Sequence, residues 1–486
     1  MIGLQWQHTQ GACPMKVNAD QLGFGRPELR PRRNWRTRRV AALALLLPLA
    51  LGSTAQTPLR WSNSQPSSPV STVTTAPRTA SQQIAYAPPP RQVMPLASGF
   101  QVGQFEAMAQ ALVADQRIPG LAMAIVQNGR VLSARGYGIT DVKAAEPVDA
   151  HTVFRLASLS KSFAGTVTGM LVSEGALRWD SKLTDFMPSF RLADPYAGQQ
   201  LTVADVLSHR VGLTHNTYDR DIEANADYRS LVQKLAYAPM ACAPGACYAY
   251  QNVAFSLIGD VVFAATGRFF DETVARKIFK PLGMNDASFG LEGIAASARW
   301  AKPHVRTRGG WTSLMPKPTY YRVAPAAGVN ASAADMAQWL IAQSGHRPDV
   351  LPASLLATLH APVISTPGEL RGSSWRRERL NAAGYGLGWR VYDYSGHRVV
   401  FHGGAVQGYR GVVALMPERD LGVAILWNSD SSLPSGLLPT ILDRAIGLNS
   451  KRWLDVDPWA DEDSSLYAER PSPGGVEASS SNATPQ

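Results

Sequence analysis

A chain of 486 residues, 45% hydrophobic and 17% charged, has the composition of a globular protein with a sizeable core, and its length suits two or three average domains or one large enzyme. Its net charge of +10 is unevenly spread: residues 1–40 hold Lys16 and seven arginines against Asp20 and Glu28, a surplus of six, which leaves +4 for the rest. So mild an excess, with no basic stripe interleaved with aromatics, argues against a nucleic-acid partner.

Arg32, Arg33, Arg36, Arg38 and Arg39 precede an apolar run from Val40 to Leu51 and then the small residues Gly52-Ser53-Thr54-Ala55. That order predicts an export signal over 1–55, cleaved after Ala55. The run is 12 residues long, short of the about 20 that cross a bilayer; left uncleaved, it would tether the protein to a membrane. The stretch before it is long for a signal, so a start at Met15 also fits, and Arg32-Arg33 is a poor match to a twin-arginine signal. Residues 56–97 are rich in Ser, Thr, Pro, Gln and Ala and predict a disordered linker, and 456–486 predict a disordered tail. The folded body is expected over 98–455.

Within the body, Phe105, Met108, Ala109, Leu112 and Val113 recur at helical spacing over 104–116. Leu121 to Val126, Asn128-Gly129 and Val131 to Tyr137 predict a β-hairpin on a tight turn. Residues 158–174 are proline-free and apolar on most sides, which predicts a buried helix stopped by Gly175. Helices and loops are expected over about 178–345. Strands return at Val399 to His402, Gly411 to Met416 and Val423 to Trp427, before a last helix from Leu437 to Ile446. Strands at both ends of a helical middle predict an α+β fold, an antiparallel sheet flanked by helices beside an all-helical region.

Three short patterns carry chemistry. In Ser158-Leu159-Ser160-Lys161 the first and last residues share a helix face, so the lysine amine can take the serine proton. Burial would lower the lysine pKa, and the Ser158 N–H at the helix start can serve an oxyanion hole. Chance alone supplies about one S-x-x-K in a chain of this size, and this chain has one. Tyr250-Gln251-Asn252 follows 92 residues later. A phenol beside a lysine ammonium is expected to have a lowered pKa and shuttle protons, with Asn252 orienting lysine and substrate. In His402-Gly403-Gly404-Ala405 the glycines would let substrate lie along a strand edge, the Ala405 N–H can serve as the second oxyanion donor, and His402 is expected to bind a substrate carboxylate or assist proton transfer, the other reading being a hydrogen-bonded strand histidine. Ser160 and Ser162 read as helix residues and His209 as structural. Cys242 and Cys247 flank the turn-forming Ala243-Pro244-Gly245-Ala246, and an oxidising compartment favours a disulfide over two buried thiols. No spacing suggests a metal or cofactor, and there is no G-x-S-x-G, P-loop or dinucleotide fingerprint.

Ser158-x-x-Lys161, Tyr250-x-Asn252 and His402-x-Gly404, in this order, resemble the serine β-lactamase and penicillin-binding-protein superfamily, in particular the branch of class C β-lactamases, D-alanyl-D-alanine carboxypeptidases and related esterases. Phrases such as Leu207-Ser208-His209, Ala326-Ala327-Gly328-Val329 and Tyr385-Gly386-Leu387-Gly388-Trp389 extend the resemblance across the body. It implies a β-lactamase/transpeptidase-like fold, Ser158 as acylated nucleophile, Lys161 and Tyr250 as acid/base pair, and a small-molecule or peptide substrate met at the cell envelope. Class C enzymes usually carry Lys-Thr-Gly as the third pattern. His402 and Gly403 in its first two places point away from efficient β-lactam hydrolysis, toward peptidases, esterases and D-aminopeptidases; a class C-like β-lactamase, or a penicillin-binding sensor or scaffold with slow deacylation, are the alternative readings.

Overall fold

The structure, a computed structural model, describes residues 92–449 and 451–460. The expected export signal, residues 56–91 of the expected linker, Cys13 and the tail beyond Ala460 lie outside the described residues.

Helix α1 (Val102–Val113) buries Phe105, Met108, Ala109 and Leu112 and ends in a 3-10 turn where Asp115 and Gln116 take positive φ. Strands β1 (Gly120–Gln127) and β2 (Arg130–Gly138) form the expected hairpin, with Asn128 and Gly129 at φ +50° and +69° in its turn. Helix α2 (Ser160–Ser173) runs through the centre of the molecule and stops before Gly175. Helices α3 (Val253–Thr266) and α4 (Ala333–Ile341) are the largest in the helical middle. Strands β3 (Ile364–Ser365), β4 (Leu380–Tyr385), β5 (Arg390–Tyr394), β6 (His397–Val406), β7 (Tyr409–Met416) and β8 (Leu421–Trp427) follow, and α5 (Leu437–Ile446) closes the set.

The eight strands make one antiparallel sheet in the order β2-β1-β8-β7-β6-β5-β4-β3. The first hairpin therefore pairs with the last strand, Leu121 opposite Trp427 and Gln127 opposite Leu421. Both sheet faces are covered, which is why β1 and β8 read as unbroken apolar runs. Leu121, Met123 and Ile125 join α1 and α5 on one face. Ala122, Ala124 and Val126 join Phe163 of α2 and Trp339 of α4 on the other. This is the α+β arrangement the sequence predicts.

The body's edges differ from expectation. The Met94 N–H bonds the Glu418 carbonyl at 2.8 Å and Ala97 N–H bonds Ala445 at 3.1 Å, so residues placed in the linker are part of the sheet's surround. Residues 456–460, placed in the tail, also pack on the body: Asp457 is buried and Val456 and Trp459 lie against the α1–α5 core. Large side chains in these short polar stretches find apolar cover that composition alone does not reveal.

Candidate active site

The segment before α2 is bent so that Ser158 faces out of a buried helix. Ala157 sits at φ +49°, a conformation that costs a residue with a Cβ and is held only by surrounding contacts. Those contacts come from the serine three places on. Ser160 Oγ donates to the Ala157 carbonyl at 2.6 Å and accepts the Val329 N–H at 3.0 Å. Ser158 itself lies in a 3-10 turn (Ala157–Leu159), one step ahead of the α-helix in which it was expected. It is half-buried, whereas its neighbours are fully buried.

Lys161 has no exposed surface. Its Nζ lies 2.7 Å from Asn252 Oδ1, 3.1 Å from the Ala326 carbonyl and 3.4 Å from Ser158 Oγ. Burial drives its pKa well below that of a free lysine; Arg390 adds to the effect and the Asp219 carboxylate opposes it. Asn252 stands at the N-cap of α3, where an asparagine ordinarily bonds the helix's own N–H groups, yet it makes no cap bond. Its side chain is diverted: Oδ1 accepts from Lys161 and Nδ2 donates to Asp219 Oδ2 at 2.8 Å. Asp219 had no signature in the sequence, being one acid among several in Tyr218-Asp219-Arg220-Asp221.

The Tyr250 ring lies 4.6 Å from Lys161 Nζ, and its phenol faces Ser158. Its pKa is raised, not lowered as expected. Burial outweighs the cations, so the phenol holds its proton at neutral pH. Ser158, Lys161, Tyr250 and Asn252 are thus brought together as the sequence implied.

His402 is a correction. It was expected to meet a substrate carboxylate or move a proton, but it is wholly buried and both ring nitrogens are engaged. The Gln251 N–H donates to His209 Nδ1 at 3.1 Å, so His209 carries its proton on Nε2 and donates to Tyr385 Oη at 3.1 Å. Tyr385 in turn donates to His402 Nε2 at 3.1 Å, and His402 Nδ1–H donates to the Gly403 carbonyl at 2.8 Å. Burial pushes both histidine pKa values well below the usual range, which keeps them neutral. His209 is structural, as expected, but its ring centroid is only 4.3 Å from that of Tyr250.

Gly403, Gly404 and Ala405 lie where the sheet opens. Pairing of β5 with β6 ends at Arg390 opposite Phe401, while β7 continues to Tyr409 opposite Val406. Val406 and Tyr409 flank a two-residue turn, so they exchange backbone hydrogen bonds, and the backbone groups of Ala405 and Gly403 point the other way, to the unpaired side. A Cβ on Gly404 would sit 2.4 Å from the Leu156 carbonyl and 3.2 Å from Ser158 N. Only glycine permits that approach, which brings the Gly404 backbone up against the start of the Ser158 turn. Gly388, at φ +84°, plays the same part at the back of α2, where a Cβ would meet the Lys161 carbonyl at 2.3 Å.

Along the open edge runs a groove of about 360 Å³ lined by Gly403, Gly404, Ala405, Arg376, Arg390 and Arg410. Glu369 pairs with both Arg376 and Arg390 and accepts from the Tyr392 phenol. Arg410 has no acidic partner among the described residues. Cys242 and Cys247 are bridged, and the bridged loop holds the approach to Tyr250 against the segment after His209, with the Ala249 N–H on the His209 carbonyl at 3.0 Å and the Gly245 N–H on Arg210 at 2.8 Å.

The fold has known relatives. A penicillin-binding protein 4 of Amycolatopsis lactamdurans is 26% identical over 339 residues, covering 68% of this chain and 86% of that protein. An unguisins hydrolase of Aspergillus campestris is 24% identical over 361 residues, covering 71% of this chain; the chain spans 65% of that relative's length. An octameric penicillin-binding protein homologue from Pyrococcus abyssi superposes with a TM-score of 0.65 at 24% identity, covering 75% of this chain and 81% of the other. A D-stereospecific amidohydrolase from Streptomyces superposes with a TM-score of 0.56 at 20% identity, over 71% and 98% of the two chains. The family model described as Beta-lactamase matches residues 105–447. The chain belongs to the beta-lactamase family and has its serine hydrolase fold.

Proposed function

We propose that the protein is an exported serine hydrolase that cleaves amide, peptide or ester bonds through an acyl-enzyme on Ser158, with D-residue-containing cell-envelope peptides as the substrate class. The observation that carries this reading is the environment of Lys161. A neutral amine has two hydrogens and one lone pair. The two shorter contacts, to Asn252 Oδ1 and the Ala326 carbonyl, take the hydrogens and leave the lone pair facing Ser158 Oγ. Ser158 Oγ then attacks the substrate carbonyl as its proton passes to Lys161, and the oxyanion is met by the N–H groups of Ser158 and Ala405. The protonated Tyr250 phenol delivers a proton to the leaving amine or alcohol and is reprotonated from Lys161. Water repeats the sequence on the acyl-enzyme and releases the acid.

A peptidase or amidase is favoured over a β-lactamase because His402 occupies the place of the family's cleft lysine and is buried. The charged groups left at the open edge are arginines, Arg410 foremost, and they suit a substrate carboxylate. Export is supported by the arginine cluster, apolar run and small residues of the first 55 positions.

The test is intact-mass spectrometry of the protein after incubation with a fluorescent penicillin, followed over time. An adduct mapped to Ser158 and absent from Ser158→Ala is expected, persisting if the protein is a peptidase and vanishing with consumption of the drug if it is a β-lactamase. An adduct that survives in Ser158→Ala would assign the nucleophile elsewhere.

A further inference from the structure

We propose that Asp219 is a positioning residue of this site, fixing the Asn252 amide with its oxygen toward Lys161 and placing a negative charge one amide away from the lysine. The inference rests on the acyl-enzyme reading above and adds to it a residue outside the three sequence patterns.

An asparagine side chain can sit either way round, and its neighbours decide which. Here the neutral Lys161 amine can give a hydrogen or accept one, whereas Asp219 Oδ2, 2.8 Å from Nδ2, offers only lone pairs. Reversed, the amide would set its oxygen against the carboxylate and its hydrogens against the amine. The carboxylate therefore selects the orientation in which Asn252 takes one hydrogen from Lys161, and that bond turns the lysine's lone pair toward Ser158.

The loop is built to hold Asp219 there. Asn216 and Tyr218 both have positive φ, at +54° and +66°, unusual for residues with a Cβ and most of all for an aromatic. The bend is fastened to the second pattern itself by the Asn216 N–H on the Tyr250 carbonyl at 2.8 Å. Asp219 Oδ1 is shielded from solvent and makes no hydrogen bond. Burial raises the Asp219 pKa, while its bond to Asn252 and the charge of Lys161 pull it down; Glu223, Tyr250, Tyr320 and His215 are the other titratable groups that face it. Lys161 is faced by Asp219 and Arg390, by the Tyr250 ring and by the neutral His209 and His402. Asp219 is the one of these that favours the ammonium form, so removing its charge makes the amine easier to keep neutral.

The experiment is the pH dependence of Ser158 acylation by a fluorescent penicillin and of p-nitrophenyl acetate turnover, in the wild type, Asp219→Asn and Asp219→Glu. In Asp219→Asn the plateau rate is expected to fall on the order of 10-fold to 10²-fold, as for a displaced catalytic group, and the ascending limb to move to lower pH. Asp219→Glu keeps the charge and should keep the limb in place. If Asp219→Asn does not fold, Asp219→Ser, which can accept from Asn252 but carries no charge, is expected to move the limb the same way. A lost rate with an unmoved limb would reduce Asp219 to a packing role, and unchanged rate and limb would remove it from the site. No labelling of wild-type Ser158 by either probe would instead sink the acyl-enzyme reading and this inference with it.

Discussion

Burial acts on Lys161 and Tyr250 in opposite directions. Desolvation disfavours whichever form is charged, so the same cavity that strips the lysine of its proton makes the phenol keep its own. The pair therefore rests as an amine beside a phenol, the forms that the proposed base and acid need. Tyr250→Phe removes the acid and keeps the ring that packs on His209 and Lys161. Turnover of p-nitrophenyl acetate or of a D-alanyl peptide is expected to drop by about 10²–10⁴, more for the peptide, whose amine leaves poorly without a proton. Circular dichroism and melting should be unchanged, and equal rates in variant and wild type would take the proton-donor role from Tyr250. At this scale the sequence shows the pairs that local geometry fixes. Ser158 and Lys161 are i and i+3, and Tyr250 and Asn252 straddle one residue at a helix start. It does not show Asp219, whose approach depends on two left-handed residues in a loop, nor that His402 turns into the sheet beside Val400 instead of out to the cleft.

The elements that hold these residues were legible where one face is apolar and the spacing regular, as in α1, α2, α5, the first hairpin and β6 to β8. Strands β4 and β5 were not, although the phrase at 385–389 adds to the family resemblance. Leu380-Asn381-Ala382-Ala383-Gly384-Tyr385 has little β-branched or aromatic character, and at Gly384 the neighbours leave no room for a side chain: a Cβ there would lie 2.8 Å from the Pro362 side chain and 3.0 Å from the Ile364 carbonyl. Tertiary packing overrides local preference there. The loop from Met240 to Ala249 is the opposite case, an element with little apolar cover that is fastened covalently. A bridge between Cys242 and Cys247 closes a very short loop, so chain entropy gives it only about 2 kcal/mol. For a body of this size that is a melting shift of about 3 °C. Reduction under non-denaturing conditions, with two free thiols counted per chain, should lower the melting point by that small amount. It should lower Ser158 acylation more visibly, because the loop leads straight into Tyr250. Equal acylation before and after reduction would show that the hydrogen bonds of Ala249 and Gln251 to His209 hold the tyrosine without the bridge.

Taken whole, the molecule keeps a set of ionisable side chains in the form that water does not prefer, and the cost appears as a dependence of stability on pH. His209 and His402 are buried neutral, so their pKa values in the fold lie below those of the unfolded chain. The stability they contribute is complete above the unfolded value of about 6.5 and is lost as pH falls through it toward the folded values, by about 1.4 kcal/mol per pH unit for each histidine. Asp335 acts in the other direction. Burial at the start of α4 pushes its pKa up to about 6 against a usual 3.8. Below pH 6 the fold therefore binds a proton that the unfolded chain does not, which offsets one of the two histidines. Urea midpoints at pH 7.5, 6.5 and 5.5 should fall with acidity in the wild type, fall more steeply below pH 6 in Asp335→Asn, and fall less steeply in His402→Gln. The slopes carry the information, since each substitution also shifts the starting stability. Three parallel lines would mean that the histidines and Asp335 titrate in the fold as they do in water, and the His209–Tyr385–His402 chain would then be open to solvent and unable to hold the Gly403 edge of the cleft.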